Sequence, residues 1–374
     1  MSSELSIFAA RLRDHIAVCG EALATGARAS NPDQRARAET EFNNLALSLF
    51  ALQFRHNAAY RTICEARNVQ PDSLTHWTGI PTVPTSAFKE LRLTSLLPDE
   101  RTHVFHSSGT TEQRPSRHFH NAESLGVYEA SLLTWFQFHM PRTNHLAILT
   151  PAPGHAPHSS LVHMFEAIRR NFLASDHSFL GRIESDHSWT LDFQTVVRAL
   201  GSAGHENEPI VMLGTAFSFV HLLDYLVENN LHFRLPKESR VMETGGYKNR
   251  SRALPKAQLR ALLTERLGIP SAQILCEYGM SELSSQAYDL GARGNSTVFH
   301  FPPWARVQII SPETGLAVAE GGIGLLRIHD LANVFSVMAI QTEDLAIRRG
   351  DGFELLGRAP AAEPRGCSLR TVDS

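Results

Sequence analysis

Three separated segments carry residue types suited to one kind of chemistry. HSSGTTEQRPS at 106–116 places a Ser/Gly/Thr turn directly after the short apolar stretch VFH. Such a turn presents several backbone N–H groups and hydroxyls to one point, which is what a polyphosphate requires. Ser107, Ser108, Gly109, Thr110 and Thr111 are the candidate contacts, with Gly109 allowing close backbone approach. No Gly-Lys-Ser/Thr follows, so this is not a Walker A loop, and the same residues would also make an ordinary solvated turn. EYGMSE at 277–282 follows the apolar run ILC and so lies at the carboxyl end of an expected strand, where α/β proteins place ligands. Here Tyr278 is suited to stack on an adenine, Gly279 to admit it, Ser281 to bond a phosphate and Glu282 to hold Mg²⁺. Alternatively, Ser281 caps a helix. In TEDLAIRRGDGFELLGR at 342–358, Asp344 can accept the two hydroxyls of a ribose, and Arg358 can serve ribose or an α-phosphate. A plain β-hairpin turning at GDG accounts for the same residues.

The elements that must position these segments alternate. Residues 40–68 and 121–139 show apolar spacing of three and four and predict helices, and LVHMFEAIRRNF, AFSFVHLLDYLVEN and 254–267 predict three more. Between them lie short apolar runs, HLAILT, PIVMLGT, SRVMETGGY and QILCEYG, each of a length for a buried strand. IPTVPTSAFKEL at 80–91 is a Pro-punctuated linker. The alternation predicts an α/β fold with mostly parallel sheets. After 300 the texture changes to short strands and turns, a small β-rich region. The expected organisation is an N-terminal helical region at 1–79, an α/β core at 80–300, the β-rich region at 301–358 and a flexible tail at 359–374.

Bulk properties exclude several classes. Thirty-five basic residues stand against 38 acidic ones with no long run of either sign, so neither nucleic acid nor a membrane surface is favoured. No stretch approaches the ~20 apolar residues of a membrane span, and the first residues do not read as a secretory signal. The four cysteines are scattered without a CxxC pair, which fits a reducing, cytoplasmic setting. Cys276 lies inside an apolar strand, and Cys19 and Cys64 lie on helical patterns, so none of the three reads as a nucleophile. His155, His158 and His163 have no Cys or carboxylate at ligand spacing and read as a His-rich loop beside a helix rather than a metal site. The basic cluster Lys248, Arg250 and Arg252 could neutralise developing phosphate charge, or simply face solvent.

Taken together and in this order, the segments resemble the adenylate-forming superfamily, which includes acyl-CoA synthetases, luciferases and peptide-synthetase adenylation domains. SSGTT matches its phosphate loop, although Glu112, Gln113 and Arg114 replace the usual Gly-x-x-Lys ending. Gly245, Gly246 and Tyr247 match the adenine-contacting turn, and YGMSE matches the Tyr-Gly-x-Thr-Glu element with Ser281 in the threonine's place. GGIGLLRIHD matches the Gly-Glu-x-Gly strand, and Asp344 and Arg358 match the ribose-binding aspartate and the hinge-proximal arginine. The resemblance implies ATP and Mg²⁺ as cofactors and a carboxylic acid as substrate. Sixteen residues follow Arg358, where that superfamily usually continues for about a hundred into a lid bearing a catalytic lysine, so the fold is expected to lack the C-terminal lid domain.

The tail APAAEPRGCSLRTVDS holds Cys367, and Arg365 beside it could favour the thiolate. IPTVPTSAFKEL, METGGYKNRS, EYGMSE, TEDL and the LGR…RGCS ending resemble the acyl-protein synthetases (LuxE-type) of fatty-acid reductase complexes. That resemblance implies activation of a fatty acid as acyl-AMP, transfer to a cysteine at the position of Cys367, and delivery to a partner reductase or other acyl-accepting protein. The alternatives are a ligase that passes the acyl group to an external thiol or amine, and a catalytically weak adenylate-binding subunit.

Overall fold

The computed structural model describes residues 3–25, 31–107, 114–185, 188–245, 254–289 and 297–359. Two long helices come first, α1 (Ser3–Ala24) and α2 (Pro32–His56). Phe42, Leu45, Leu49 and Phe50 of α2 recur at helical spacing and are buried. The single helix expected over 40–68 is in fact broken at Asn57, where the backbone becomes extended. Asn57 is fully buried, accepts from Tyr60 N at 3.1 Å and so caps α3 (Ala58–Ala66). Apolar periodicity cannot report such a break, because it runs unbroken across the cap.

The linker at 80–91 contains β1 (Val83–Pro84) and the single-turn α4 (Ala87–Glu90). β2 (His103–His106) and β3 (Arg117–His120) pair antiparallel, with His106 opposite Arg117 at the mouth of the 107–116 loop. Asn121 caps α5 (Ala122–His139), accepting from Ser124 N at 2.9 Å. Leu132, Trp135 and Phe136 of α5 are buried and pack into the core. β4 (Leu146–Ile148) and α6 (Ser160–Phe172) follow, then a small hairpin of β5 (Gly181–Ile183) and β6 (Trp189–Leu191). α7 (Phe193–Glu206), β7 (Val211–Thr215), α8 (Ala216–Glu228), β8 (Arg240–Thr244), α9 (Lys256–Leu267) and β9 (Ile274–Tyr278) complete the alternation.

β4, β7, β8 and β9 are parallel neighbours, as strand–helix alternation demands, because each connection is long enough to cross over the sheet. Beyond Tyr278 the connections shorten. β10 (Ala287–Asp289), β11 (Val298–His300), β12 (Ala305–Ile310), β13 (Ile323–Asp330), β14 (Ala339–Arg349) and β15 (Gly352–Arg358) pair antiparallel. They extend the same sheet in the order β12-β13-β14-β15-β11-β10-β9-β8-β7-β4, with β1 parallel to β14. The parallel order thus belongs to one half of the sheet and the antiparallel order to the other. Alternate residues of β7 serve opposite faces: Val211 and Leu213 pack with α1, α2, α5 and α6, and Met212 packs with α7, α8 and α9.

Asp289 ties α9 to the sheet. It is fully buried, and its carboxylate accepts from Lys256 Nζ (2.7 Å), Arg260 Nη2 (2.6 Å) and Cys276 N (2.7 Å). Removing it strands two largely buried cations. Asp289→Ala is expected to lower the unfolding free energy by about 3–5 kcal/mol in urea titrations; a loss below about 1 kcal/mol would contradict this role.

Candidate nucleotide site

The site lies at the carboxyl ends of β8 and β9. Thr244 and Glu277 are register partners, so Gly245 leaves β8 next to the point where Tyr278 and Gly279 end β9. Gly245 has φ +74°, a conformation that glycine adopts without strain. A side chain at 279 would overlap Glu277 Oε1, which explains a glycine there. The ladder β9–β10–β11–β15–β14 then carries Asp344 round to the same place. Tyr278 Oη donates to Asp344 Oδ2 at 2.7 Å. The Tyr278 ring sits edge-on to Phe299, Phe301 and Phe353 at 5.3–6.3 Å. Burial and the neighbouring carboxylate hold its hydroxyl well above the usual tyrosine range, so it remains a donor. Arg358 is the register partner of Asp344, its Nε 3.9 Å from Oδ1, yet its side chain is 75% exposed.

The second part of the site is built around Ser281. Ser107 and Ser116 close the neck of the 107–116 loop: Ser116 N donates to Ser107 Oγ at 3.0 Å. Ser116 Oγ lies 3.4 Å from Ser281 Oγ, and His118 Nδ1 donates to the Ser281 carbonyl at 2.9 Å. Burial lowers His118 to about 4, so it holds this bond as a neutral imidazole. Ser281 lies in a turn and starts no helix, so the capping alternative does not hold. Its hydroxyl instead donates to Glu282 Oε2 at 3.0 Å. Glu282 is 6% exposed and has no cationic partner among the described residues. A buried carboxylate of this kind, paired only with a hydroxyl, fits Mg²⁺, which takes one or two carboxylates and draws its remaining ligands from phosphate and water. No cluster of three or more His, Cys, Asp or Glu suited to a metal occurs among the described residues.

The structure therefore brings together Ser107, Gly245, Tyr278, Gly279, Ser281, Glu282, Asp344 and Arg358. Ser108, Gly109, Thr110, Thr111, Gly246, Tyr247, Lys248 and Cys367 lie outside the described residues. Among the described cysteines, burial pushes the Cys19 and Cys64 thiols up to about 11 and Cys276 well above its usual value, so none offers a thiolate near neutrality.

Two carboxylates had no role in the sequence reading. Asp330 closes β13 and is fully buried behind the 281–286 turn. Glu277 is buried beside Tyr278 and accepts from the Thr244 hydroxyl. The signal for both was visible in principle, a carboxylate ending or interrupting an apolar run. Desolvation, reinforced by Glu243, pushes Glu277 from 4.5 up to about 7. Between those values the unfolded chain has released a proton that the folded protein keeps, so this group's contribution to stability falls as pH rises through that window. Glu277→Gln is thus expected to gain on the wild type by up to about 1.4 kcal/mol per pH unit from about pH 4.5 to 7, and to hold a constant difference above that. Urea unfolding at several pH values measures this; a difference independent of pH would contradict it.

Comparison with known proteins now adds a family. The family model described as acyl-protein synthetase, LuxE, matches residues 29–373. The chain is 26% identical over 345 residues to the long-chain-fatty-acid–luciferin-component ligase of Aliivibrio fischeri, covering 87% of this chain and 86% of that one. To the protein of the same name from Vibrio harveyi it is 22% identical over 344 residues, with the same coverage. Its fold resembles that of 2-hydroxyisobutyryl-CoA ligase in an open conformation with 2-HIB-AMP and CoA, with a TM-score of 0.61 at 13% identity over 84% of this chain and 69% of that one. The same ligase in its thioesterification state gives 0.62 at 14% identity, over 86% and 70%. No described helix is long and apolar enough to cross a membrane. With the family model matched over nearly its whole length, this chain belongs to the acyl-protein synthetase (LuxE) family and is a ligase of adenylate-forming fold.

Proposed function

We propose that the protein activates a long-chain fatty acid with ATP and then carries the acyl group on Cys367 as a thioester. The observation that carries the reading is the convergence at one sheet end. The Tyr278–Asp344 pair and Arg358 stand there beside Ser281 and Glu282, against the neck of a Ser/Gly/Thr loop. Asp344 accepts the ribose hydroxyls and Tyr278 stacks on adenine with the 245–247 turn. The 107–111 loop and Ser281 bond the phosphates, with Lys248 adding charge from the segment after Gly245. Glu282 would hold Mg²⁺, which when bound offsets charge on the triphosphate.

A carboxylate oxygen of the acid attacks the α-phosphorus in line. The bond to the β-phosphate oxygen breaks, and pyrophosphate leaves with the electron pair. The chain's contribution is to position the reactants and to stabilise the charge that develops. In the second step the Cys367 thiolate attacks the acyl carbon. The acyl–oxygen bond to AMP breaks, AMP leaves, and the proton lost by the thiol passes to solvent. The fatty-acid class is supported by the names of both curated relatives, and the match to the family model extends past Cys367. The acceptor that finally takes the acyl group is a partner protein, a reductase or another acyl-accepting protein. The three described cysteines are all free, which suits work in a reducing cytoplasm.

Fatty-acid-dependent exchange of labelled pyrophosphate into ATP is expected, and its absence with every chain length would overturn the first half-reaction. Asp344→Ala should raise the KM for ATP about 10- to 100-fold, the scale of a lost charge-assisted hydrogen bond. An unchanged KM would remove Asp344 from the ribose site. For the second half-reaction, Cys367→Ser should retain exchange and lose the acyl mass adduct on the intact protein. Persistence of a hydroxylamine-labile adduct would move the acyl site elsewhere.

A further inference from the structure

The turn that ends β13 does more for this site than continue the chain. Asp330 is fully buried and meets four donors: Ser284 N (2.9 Å) and Ser285 N (2.8 Å) on Oδ2, Ser285 Oγ (2.7 Å) and Ala332 N (3.0 Å) on Oδ1. Three residues on, Asn333 is 1% exposed. Its Nδ2 donates to the Glu282 carbonyl at 2.9 Å, and its Oδ1 accepts from Ser284 Oγ at 2.7 Å. Two side chains of one turn therefore hold the backbone at 282, 284 and 285, immediately after Glu282. The clamp is itself braced. Gln53, fully buried on α2, donates to the Asn333 carbonyl at 2.7 Å and accepts from Met338 N at 3.1 Å.

All four groups bonded to Asp330 are neutral, and among the described residues no cation pairs with it. An apolar residue of similar size would avoid the desolvation cost of a buried carboxylate, so packing alone does not explain the choice. What a carboxylate supplies is two adjacent acceptors that can take consecutive backbone N–H groups together with a hydroxyl, fixing the course of the 284–285 turn. We propose that Asp330 and Asn333 are positioning residues that hold Glu282 in the orientation the metal–nucleotide complex needs. The proposal rests on the nucleotide reading above. It extends that reading from the residue that meets the metal to the buried pair that aims it, in the way that outer partners orient metal ligands elsewhere.

Asp330→Asn keeps size and shape but turns one acceptor into an NH₂ group facing N–H or O–H donors, which displaces the 284–285 backbone. Calorimetric titration with ATP in excess Mg²⁺ and with ATP in excess chelator separates aim from fold, because adenosine contacts at Tyr278 and Asp344 do not pass through the clamp. The variant is expected to weaken binding of ATP with Mg²⁺ by about tenfold or more while binding of metal-free ATP stays within about twofold. Equal loss of both forms, or no loss of either, would overturn the proposal. Should Asp330→Asn fail to fold, Ser285→Ala removes a single donor to Oδ1 and is expected to shift in the same direction by a few-fold; equal effects on both forms would again be decisive against it. A wild type that binds neither form would overturn the nucleotide reading instead.

Discussion

The hydrogen bond from Tyr278 to Asp344 is the constraint around which the site is arranged. Its partners lie 66 residues apart in sequence, one ending a parallel strand and the other inside an antiparallel hairpin. They meet only because β10, β11 and β15 continue the β9 edge without a gap until β14 is reached. A register slip of one residue along that ladder would turn Asp344 to the other face. The antiparallel half of the sheet is therefore part of the site and not an appendage to it. The same geometry leaves Arg358 opposite Asp344 but exposed, so a half-buried carboxylate and a solvent-facing guanidinium stand side by side.

Behind this surface the fold buries carboxylates and treats each differently. Asp289 is matched by two cations and an amide. Asp330 is matched by neutral donors alone. Glu277 is held in part as the neutral acid, its pKa pushed up to about 7. Burying a charge is costly unless it is paired, hydrogen-bonded or titrated away, and these residues use one route each. The first secures α9 to the sheet, the second shapes the turn after Glu282, and the third lies beneath the Tyr278–Gly279 strand end.

The sequence made legible whatever is carried by local pattern. Apolar runs of strand length and helices at three-four spacing pointed to the parallel half of the sheet, and the EYGMSE and TEDL segments, with Ser107 at the neck of the first loop, named residues that stand together in the fold. The break at Asn57 was hidden because the apolar stripe continues across it while the buried cap turns the backbone. The clamp was hidden for a different reason. Gln53, Asp330 and Asn333 are ordinary residue types whose function comes from contacts made across some 50 to 280 positions of sequence, and no spacing rule reaches that far. The antiparallel continuation through β10 and β11 was missed because three-residue strands carry too little periodicity to read.

The central claim is that one sheet end holds an acyl-adenylate, with the nucleotide on Asp344 and Tyr278 and the acyl chain beside it. Equilibrium binding of a non-hydrolysable analogue, a fatty acyl group joined to adenosine through a sulfamate, measures this directly. The account predicts that the analogue binds at least about a hundredfold more tightly than AMP or the free fatty acid, as expected for a mimic of a tightly held intermediate. An analogue that binds no better than AMP would contradict it.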